Sequence, residues 1–318
     1  MGFKNSKAAI IGVGNVGATL AFSIVSQGLC EELVLIDVNA EKAYAEALDL
    51  THSVYFMNRN VKITAGSYAD CADADLVIIT ASAPMPKDSN NRLAMLAPSM
   101  KVMEGIIPAL MASGFAGILL VVSNPVDVMT YYAWKLSQLP KKQVIGSGTA
   151  LDTARLCCEL SSLYDLDAKS VEAFVIGEHG DSELVCWDSA TIGGKRIDDV
   201  LRDNAPRTGS ATKDALRQQT IKAGWEIFDR KGNTCYGIAA STTAIAKSIF
   251  FNENAILPVS VCLEGQYGLS GVFLSVPTII DKTGAREIVE IRLAPEEEQA
   301  LHSSADILRS TYKDLERG

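Results

Sequence analysis

Near its amino terminus the chain reads Ala8-Ala9-Ile10-Ile11-Gly12-Val13-Gly14-Asn15-Val16-Gly17 and then stays apolar and periodic to Ile24. A short apolar run, a glycine cluster and a helix start confine this segment to a strand–turn–helix unit. Gly12 makes the turn, and Gly14 lets the backbone approach a pyrophosphate closely. Gly17 permits tight packing of helix on strand, and the helix N-terminus favours an anion. Glycine-rich turns are common, so the next apolar segment carries more weight. This second run, Leu33-Val34-Leu35-Ile36, ends at Asp37, twenty residues after Gly17. A carboxylate there accepts hydrogen bonds from the hydroxyls of an adenosine ribose and repels a 2′-phosphate, which points to NAD rather than NADP.

The first half of the chain continues the alternation. The pattern predicts a helix over Ala40 to Leu50, a strand near Val61 to Ala65, and a strand at Leu76-Val77-Ile78-Ile79-Thr80. A helix from about Leu93 to Ser113 and a strand at Ile118-Leu119-Leu120-Val121-Val122 come next, and Val144-Ile145-Gly146 supplies a sixth strand. Continuous apolar strands separated by helices indicate a doubly wound parallel sheet covered on both faces. Beyond Gly146 the character changes to a mixed α+β pattern. A helix is predicted from Thr149 to Tyr164, strands near Val171 to Ile176 and Glu183 to Trp187, and a long helix around Ser210 to Asp229. Two late strands, near Val272 to Ile280 and Glu287 to Ile291, precede a helix opened by Pro295 and Glu296-Glu297-Glu298, acidic residues favoured in a first turn. The reading divides the chain into a nucleotide domain, 1–146, and a substrate domain, 147–318.

At 318 residues and 48% hydrophobic content the chain is long enough for two domains with a substantial core. Its 29 basic against 38 acidic residues, a net charge of −9 without a long block of either sign, argue against nucleic acid as a partner. An acidic protein that takes an anionic substrate must gather cationic groups locally, which raises interest in Arg92 and Arg155. The seven cysteines form no CxxC pair and no metal-ligand spacing with the three histidines. They read as reduced thiols of a cytosolic protein, with Cys157 and Cys158 packing on a helix. No secretory or membrane-spanning segment is expected.

Gly177-Glu178-His179-Gly180-Asp181 is the segment richest in chemistry. His179 sits between glycines, beside carboxylates, 27 residues beyond Asp152. Histidine suits proton transfer near neutral pH. Asp152 and Arg155, three apart, share one helix face; the Asp can fix and charge-stabilise an imidazolium, and the Arg fork can grip a carboxylate. His52 and His302 read as ordinary surface residues.

Taken together, these segments resemble the L-lactate/malate dehydrogenase family over essentially the whole chain, with a branch of bacterial L-lactate dehydrogenases most similar. The match is carried by the glycine fingerprint with Asp37, then Ser123-Asn124-Pro125-Val126-Asp127, Val144-Ile145-Gly146-Ser147-Gly148 and Leu151-Asp152-Thr153-Ala154-Arg155. It continues in Gly177-Glu178-His179-Gly180-Asp181-Ser182, Glu264-Gly265-Gln266-Tyr267-Gly268 and Leu274-Ser275-Val276-Pro277-Thr278. The resemblance implies a Rossmann domain followed by an α+β substrate domain, and a hydride transfer between NAD and a 2-hydroxy acid. His179 would be the acid/base, a role worth about 10²–10⁴-fold; Asp152 would orient it, Arg155 would clamp the substrate carboxylate, and Arg92 would polarise the reacting carbonyl. The substrate-binding set implied is Met85, Arg92, Asn124, Arg155 and Thr234. The cofactor-binding set is Gly12, Gly14, Asn15, Val16, Gly17, Asp37, Ala81, Ser82, Ala83, Ser123, Asn124 and Ser147. No metal is implied, and the family suggests a homodimer or homotetramer.

The segment Pro84-Met85-Pro86-Lys87-Asp88-Ser89-Asn90-Asn91, ahead of Arg92, departs from the family. Lactate enzymes of the usual bacterial type carry Gly-Ala and then Gln; here stand Ser82-Ala83 and Met85. Malate enzymes place an Arg where Met85 stands, and Met cannot pair a second carboxylate. Lactate is the leading substrate. A 2-hydroxyisocaproate-type acid, admitted by a flexible Met and a longer loop, and malate, with Lys87 turned inward, are the alternatives. A non-catalytic NAD sensor on the same fold is the rival from another class. At the positions where family members activated by fructose 1,6-bisphosphate carry an Arg and a His stand Cys157 and Glu172, so no activation by that sugar phosphate is expected.

Overall fold

The structure, a computed structural model, describes residues 5–83, 96–204 and 212–315, the side chains as far as residue 313. Its first strands are the apolar runs of the sequence: β1 (Lys7–Ile11), β2 (Glu32–Ile36), β3 (Lys62–Ala65), β4 (Leu76–Ile79), β5 (Ile118–Val121) and β6 (Val144–Gly146). They lie in the order β6-β5-β4-β1-β2-β3, and every pairing among them is parallel. Ala8 faces Leu33 on one side and Leu76 on the other, so β1 is the strand from which the sheet is wound both ways. Strands β4 and β5 are buried at every residue, as expected where helices cover both faces. Those helices are α1 (Asn15–Gln27), α2 (Ala40–Val54), α3 (Leu96–Ala112) and α4 (Val126–Ser137). Helix α1 stops at Gly28, which takes the left-handed conformation at φ 62° and returns its N–H to Ile24 and Val25.

The chain continues through α5 (Ala150–Tyr164), β7 (Val171–Glu172), β8 (Val175–Ile176), β9 (Leu184–Val185), β10 (Thr191–Ile192), β11 (Lys195–Arg196), α6 (Ile197–Asp203), α7 (Lys213–Lys231) and α8 (Tyr236–Phe251). The last elements are β12 (Ala255–Glu264), β13 (Ser270–Asp281), β14 (Gly284–Ile288) and α9 (Pro295–Leu315). Contacts divide the molecule into two units. One comprises Met1–Ser147, Thr234–Ala255 and Ile279–Glu287, the other Gly148–Asn233, Ile256–Thr278 and Ile288–Gly318. In the second unit β8 and β9 form an antiparallel pair, β10 pairs antiparallel with β7 and β11, and β13 neighbours β12. Its core gathers Leu156 and Leu160 of α5 with Val171, Val175, Val185, Ile197 and Leu216.

The units are not the contiguous segments drawn from the sequence, because α8 returns to the first unit. Thr243 of α8 donates to Ser23 Oγ of α1 at 2.9 Å, Ser248 donates to Ile280 O at 2.6 Å, and Ile245, Ala246 and Ile249 are buried. Helix α8 and strand β12 were not anticipated. Helix α2 runs on to Val54, which places the exposed His52 inside its last turn rather than after it. Cys157 packs against the second core, whereas Cys158 is exposed and packs against nothing there. All seven cysteines are free. No helix of the described residues is long and apolar enough to cross a membrane.

Candidate active site

In the first unit the nucleotide fingerprint forms the turn expected of it. Gly12 holds φ at 97°, donates to Ile36 O at 2.7 Å, and leaves no room for a side chain: a Cβ there would lie 2.5 Å from Ala81 N. At Gly17 a Cβ would stand 1.9 Å from Gly12 O, so contact between helix and turn demands glycine. Gly14 differs, since a Cβ on it would meet no atom within 4 Å. The protein's own packing does not require its smallness; a ligand pressed against the backbone would. Helix α1 begins at Asn15 with no side chain capping it, so its first N–H groups are available to an anion.

Asp37 joins β2 to this turn. Its Oδ2 accepts from Val13 N at 2.8 Å and its Oδ1 from Asn39 N at 2.9 Å. The carboxylate thus anchors the turn as well as standing where a ribose would be read. The other expected cofactor residues follow the carboxyl ends of neighbouring strands, where ligands bind in open α/β sheets. Ala81, Ser82 and Ala83 follow β4, Ser123 and Asn124 follow β5, and Ser147 follows β6. Buried Ser123 donates to Ala81 O at 2.5 Å, and Ser147 N donates to Val121 O at 2.8 Å. The Oδ1 of Asn124 is buried with no hydrogen-bond partner among the described residues, an exception that calls for a ligand or water. These features fit a dinucleotide. Thr234 is half-buried just ahead of α8 in this unit. Met85, Lys87 and Arg92 lie outside the described residues.

The second unit assembles the proton-transfer group. Gly148, at φ 55° with its Cβ position 2.6 Å from Ser260 N, turns the chain into α5. Thr149 Oγ1 donates to Val175 O at 2.6 Å, and Val175 N donates to Thr153 Oγ1 at 2.9 Å, which fixes α5 against β8. Beyond β8 the chain crosses Gly177, at φ 96°, which exchanges backbone bonds with Ser275 of β13. Glu178 N donates to Ser304 Oγ of α9 at 2.8 Å, and Ser182 donates to Glu178 Oε2 at 2.5 Å. His179 is therefore held from both sides.

Its Nδ1 meets Asp152 Oδ2 at 2.6 Å, while Arg155 Nη1 donates to Asp152 Oδ1 at 2.7 Å. The Asp152 side chain is only 2% exposed, those of His179 and Arg155 14% each. An ionised carboxylate only accepts, so Nδ1 carries hydrogen and Nε2 is left as the atom that exchanges a proton. Arg155 ties one amino group to Asp152, a bond the sequence did not foretell, and its fork retains Nη2 and Nε for other partners. One residue escaped the sequence reading altogether: Glu183, buried, whose carboxylate shares a triangle of atoms within 4.8 Å with Asp152 and His179.

Residues 6–146 match the NAD binding domain of lactate/malate dehydrogenase, and residues 149–317 match the alpha/beta C-terminal domain of the same group. The chain belongs to the lactate/malate dehydrogenase family. It is accordingly an NAD-dependent oxidoreductase. Among members of the family, it is 48% identical to L-lactate dehydrogenase 3 of Bacillus cereus over 97% of its own length and 98% of that protein. Its identity to L-lactate dehydrogenase 1 of Bifidobacterium longum is 47%, over 98% of each chain. A crystal structure of the minor L-lactate dehydrogenase of Enterococcus mundtii in ligand-bound form superposes with a TM-score of 0.91 at 41% identity, covering 96% of both chains. A lactate dehydrogenase from a deep-sea metagenome library gives 0.94 at 42% identity, over 99% of this chain and all of that one.

Proposed function

We propose that this protein is an L-lactate dehydrogenase that reversibly reduces pyruvate to L-lactate with NADH. The observation that carries the reading is the Arg155–Asp152–His179 chain of hydrogen bonds, at 2.7 and 2.6 Å. NADH, when bound, supplies the hydride. Asp152 orients the imidazole and balances its charge; His179 Nε2 gives a proton to the carbonyl oxygen as that carbon becomes tetrahedral, and takes it back in the reverse direction. The remaining Arg155 nitrogens bind the substrate carboxylate, each charged hydrogen bond being worth roughly 1.5–3 kcal/mol. Arg92 is assigned to the developing oxyanion, and Asn124 and Thr234 to contacts with the bound ligands. Gly14, the open N-terminus of α1 and Asp37 are assigned to the dinucleotide.

Relatives named for L-lactate at 47–48% identity support pyruvate over oxaloacetate. Initial rates of NADH oxidation with pyruvate, 2-oxoisocaproate and oxaloacetate in parallel test this. Pyruvate is expected to show the highest kcat/KM, and preference for either competitor would overturn the assignment.

An oligomer, dimer or tetramer, is part of the proposal. The α1–α2 surface of the first unit exposes Phe22, Tyr44, Leu48, Tyr55 and Phe56, the last two more than 80%, a cluster larger than a monomer ordinarily leaves in water. Insensitivity to fructose 1,6-bisphosphate is also proposed. Glu172 is exposed in β7 and accepts from Thr191 Oγ1 at 3.0 Å, and Cys157 is half-buried beside Val171. Neither can pair with phosphate.

A further inference from the structure

The proton-transfer cluster contains a second carboxylate that the proposed reaction does not use. Glu183 is 3% exposed, and one of its oxygens, one oxygen of Asp152 and one nitrogen of His179 lie within 4.8 Å of one another. The backbone is built to put it there. Glu183 N closes a turn onto Gly180 O at 3.3 Å, just before β9 begins at Leu184. From α7, Arg217 donates Nε and Nη2 to Glu183 O at 3.0 and 2.7 Å, and Nη2 to Asp181 O at 3.2 Å. That guanidinium grips the main chain of the turn and thereby holds the Glu183 carboxylate in the interior, beside Asp152.

Burying a carboxylate is costly unless positive charge compensates it. The charged groups around this point are few. Helix α5 brings Asp152 and Arg155, and helix α7 brings Arg217. The histidine loop brings Glu178, bonded to Ser182, and Asp181, which is exposed. Glu297 of α9 is turned to the backbone of Trp187 and Asp188, and His302 to Tyr267 O. At the cluster itself, Asp152 and Glu183 offer two negative charges against Arg155 and the ring of His179. A protonated ring balances the charge, whereas a neutral ring leaves one negative charge in excess.

We propose that Glu183 is a positioning residue that supplies the second negative charge opposite the His179 imidazolium, so that the enzyme retains its catalytic proton to higher pH. The proposal rests on the reading of His179 as general acid. It concerns how the proton is held, since Asp152 already orients the ring.

The test is the pH profile of kcat/KM for pyruvate in the wild type, E183Q and E183D. Glu183→Gln keeps the size and removes the charge. Its alkaline limb is expected to move down by about one pH unit, since an opposite charge at this range typically shifts a group by about one to three units. Above the limb, kcat/KM then falls about tenfold, while the acid-side plateau holds. Glu183→Asp keeps the charge and should hold its limb within a fraction of a pH unit of wild type.

An E183Q limb at the wild-type pH, whatever the plateau, would overturn the idea, since a protonated or merely structural Glu183 predicts that result. Histidine Cε1 resonances, from only three residues, give a readout independent of turnover, and the one belonging to His179 should titrate at lower pH in E183Q. If E183Q does not fold, E183D decides: a limb displaced by a full pH unit with the charge retained refutes the proposal, and a limb at the wild-type pH upholds it. Wild-type enzyme inactive on every 2-oxo acid would instead refute the functional reading, leaving the resonance titration to judge Glu183.

Discussion

Asp152 receives His179 Nδ1 on one oxygen and Arg155 Nη1 on the other, so a change there acts on both partners. Asp152→Asn keeps the shape but loses the charge and one acceptor. Its kcat/KM for pyruvate should fall by roughly 10²–10⁴-fold, the range for lost acid–base help, and a loss under threefold would remove Asp152 from the mechanism. Arg155→Lys replaces a planar fork by a single ammonium. Its KM for pyruvate should rise roughly tenfold to a hundredfold, the value of one charged hydrogen bond, with little change in NADH affinity. The thiols give an independent prediction. Burial pushes Cys30 up to about 12, Cys71 and Cys157 up to about 11, and Cys186 well above the ordinary thiol range. The thiolate is the reactive form, so iodoacetamide at pH 8 should modify exposed Cys158 first, and Cys30, Cys71 and Cys186 only after unfolding. Mass spectrometry of the early product decides the matter; alkylated Cys30 or Cys186 in folded protein would contradict it.

At the scale of elements, the β1–α1 junction has the least tolerance. Gly17→Ala would place a methyl 1.9 Å from Gly12 O and 2.8 Å from Thr80 Oγ1, and neither neighbour is the far end of a flexible chain. A cost of about 1–3 kcal/mol is the usual result of overpacking, read as a lower urea midpoint, together with NADH binding weakened at least tenfold. Gly14→Ala meets no protein atom and should leave the urea midpoint almost unchanged while weakening NADH. That contrast separates a glycine kept for the fold from one kept for a ligand. Equal loss of stability in both variants would dissolve the distinction.

For the whole molecule, the exposed aromatic and aliphatic side chains on α1 and α2 lead to the expectation of a particle with two or four times the monomer mass by light scattering. A monomer at micromolar concentration would refute it. Adding fructose 1,6-bisphosphate should leave the half-saturating pyruvate concentration within twofold, because Glu172 repels phosphate; a large fall would mean that the sugar phosphate binds elsewhere.

Much was legible in the sequence because it depends on neighbours along the chain. Apolar runs at Ile10-Ile11, Leu33 to Ile36 and Leu76 to Ile79 can only be buried strands. The spacing from Gly12 to Asp37 sets a turn and a strand end, and Asp152 with Arg155 shares a helix face by the period of the helix. Other features waited on packing between distant segments. Strands β7 to β11 have two residues each, too short for any periodicity, and α8 is mixed Ala, Ser, Thr and Ile, whose return to the first unit is decided by its fit against α1. Glu183 stands in the polar stretch Asp181-Ser182-Glu183, which reads as solvated; its burial follows from Arg217, 34 residues later, holding the turn by its carbonyls. Sequence determined which residues carry chemistry and which strands form, since those are local properties of side chain and spacing. Tertiary structure alone decided which charges share one dry site, because that depends on what each group loses when water is removed and on the neighbours that replace it.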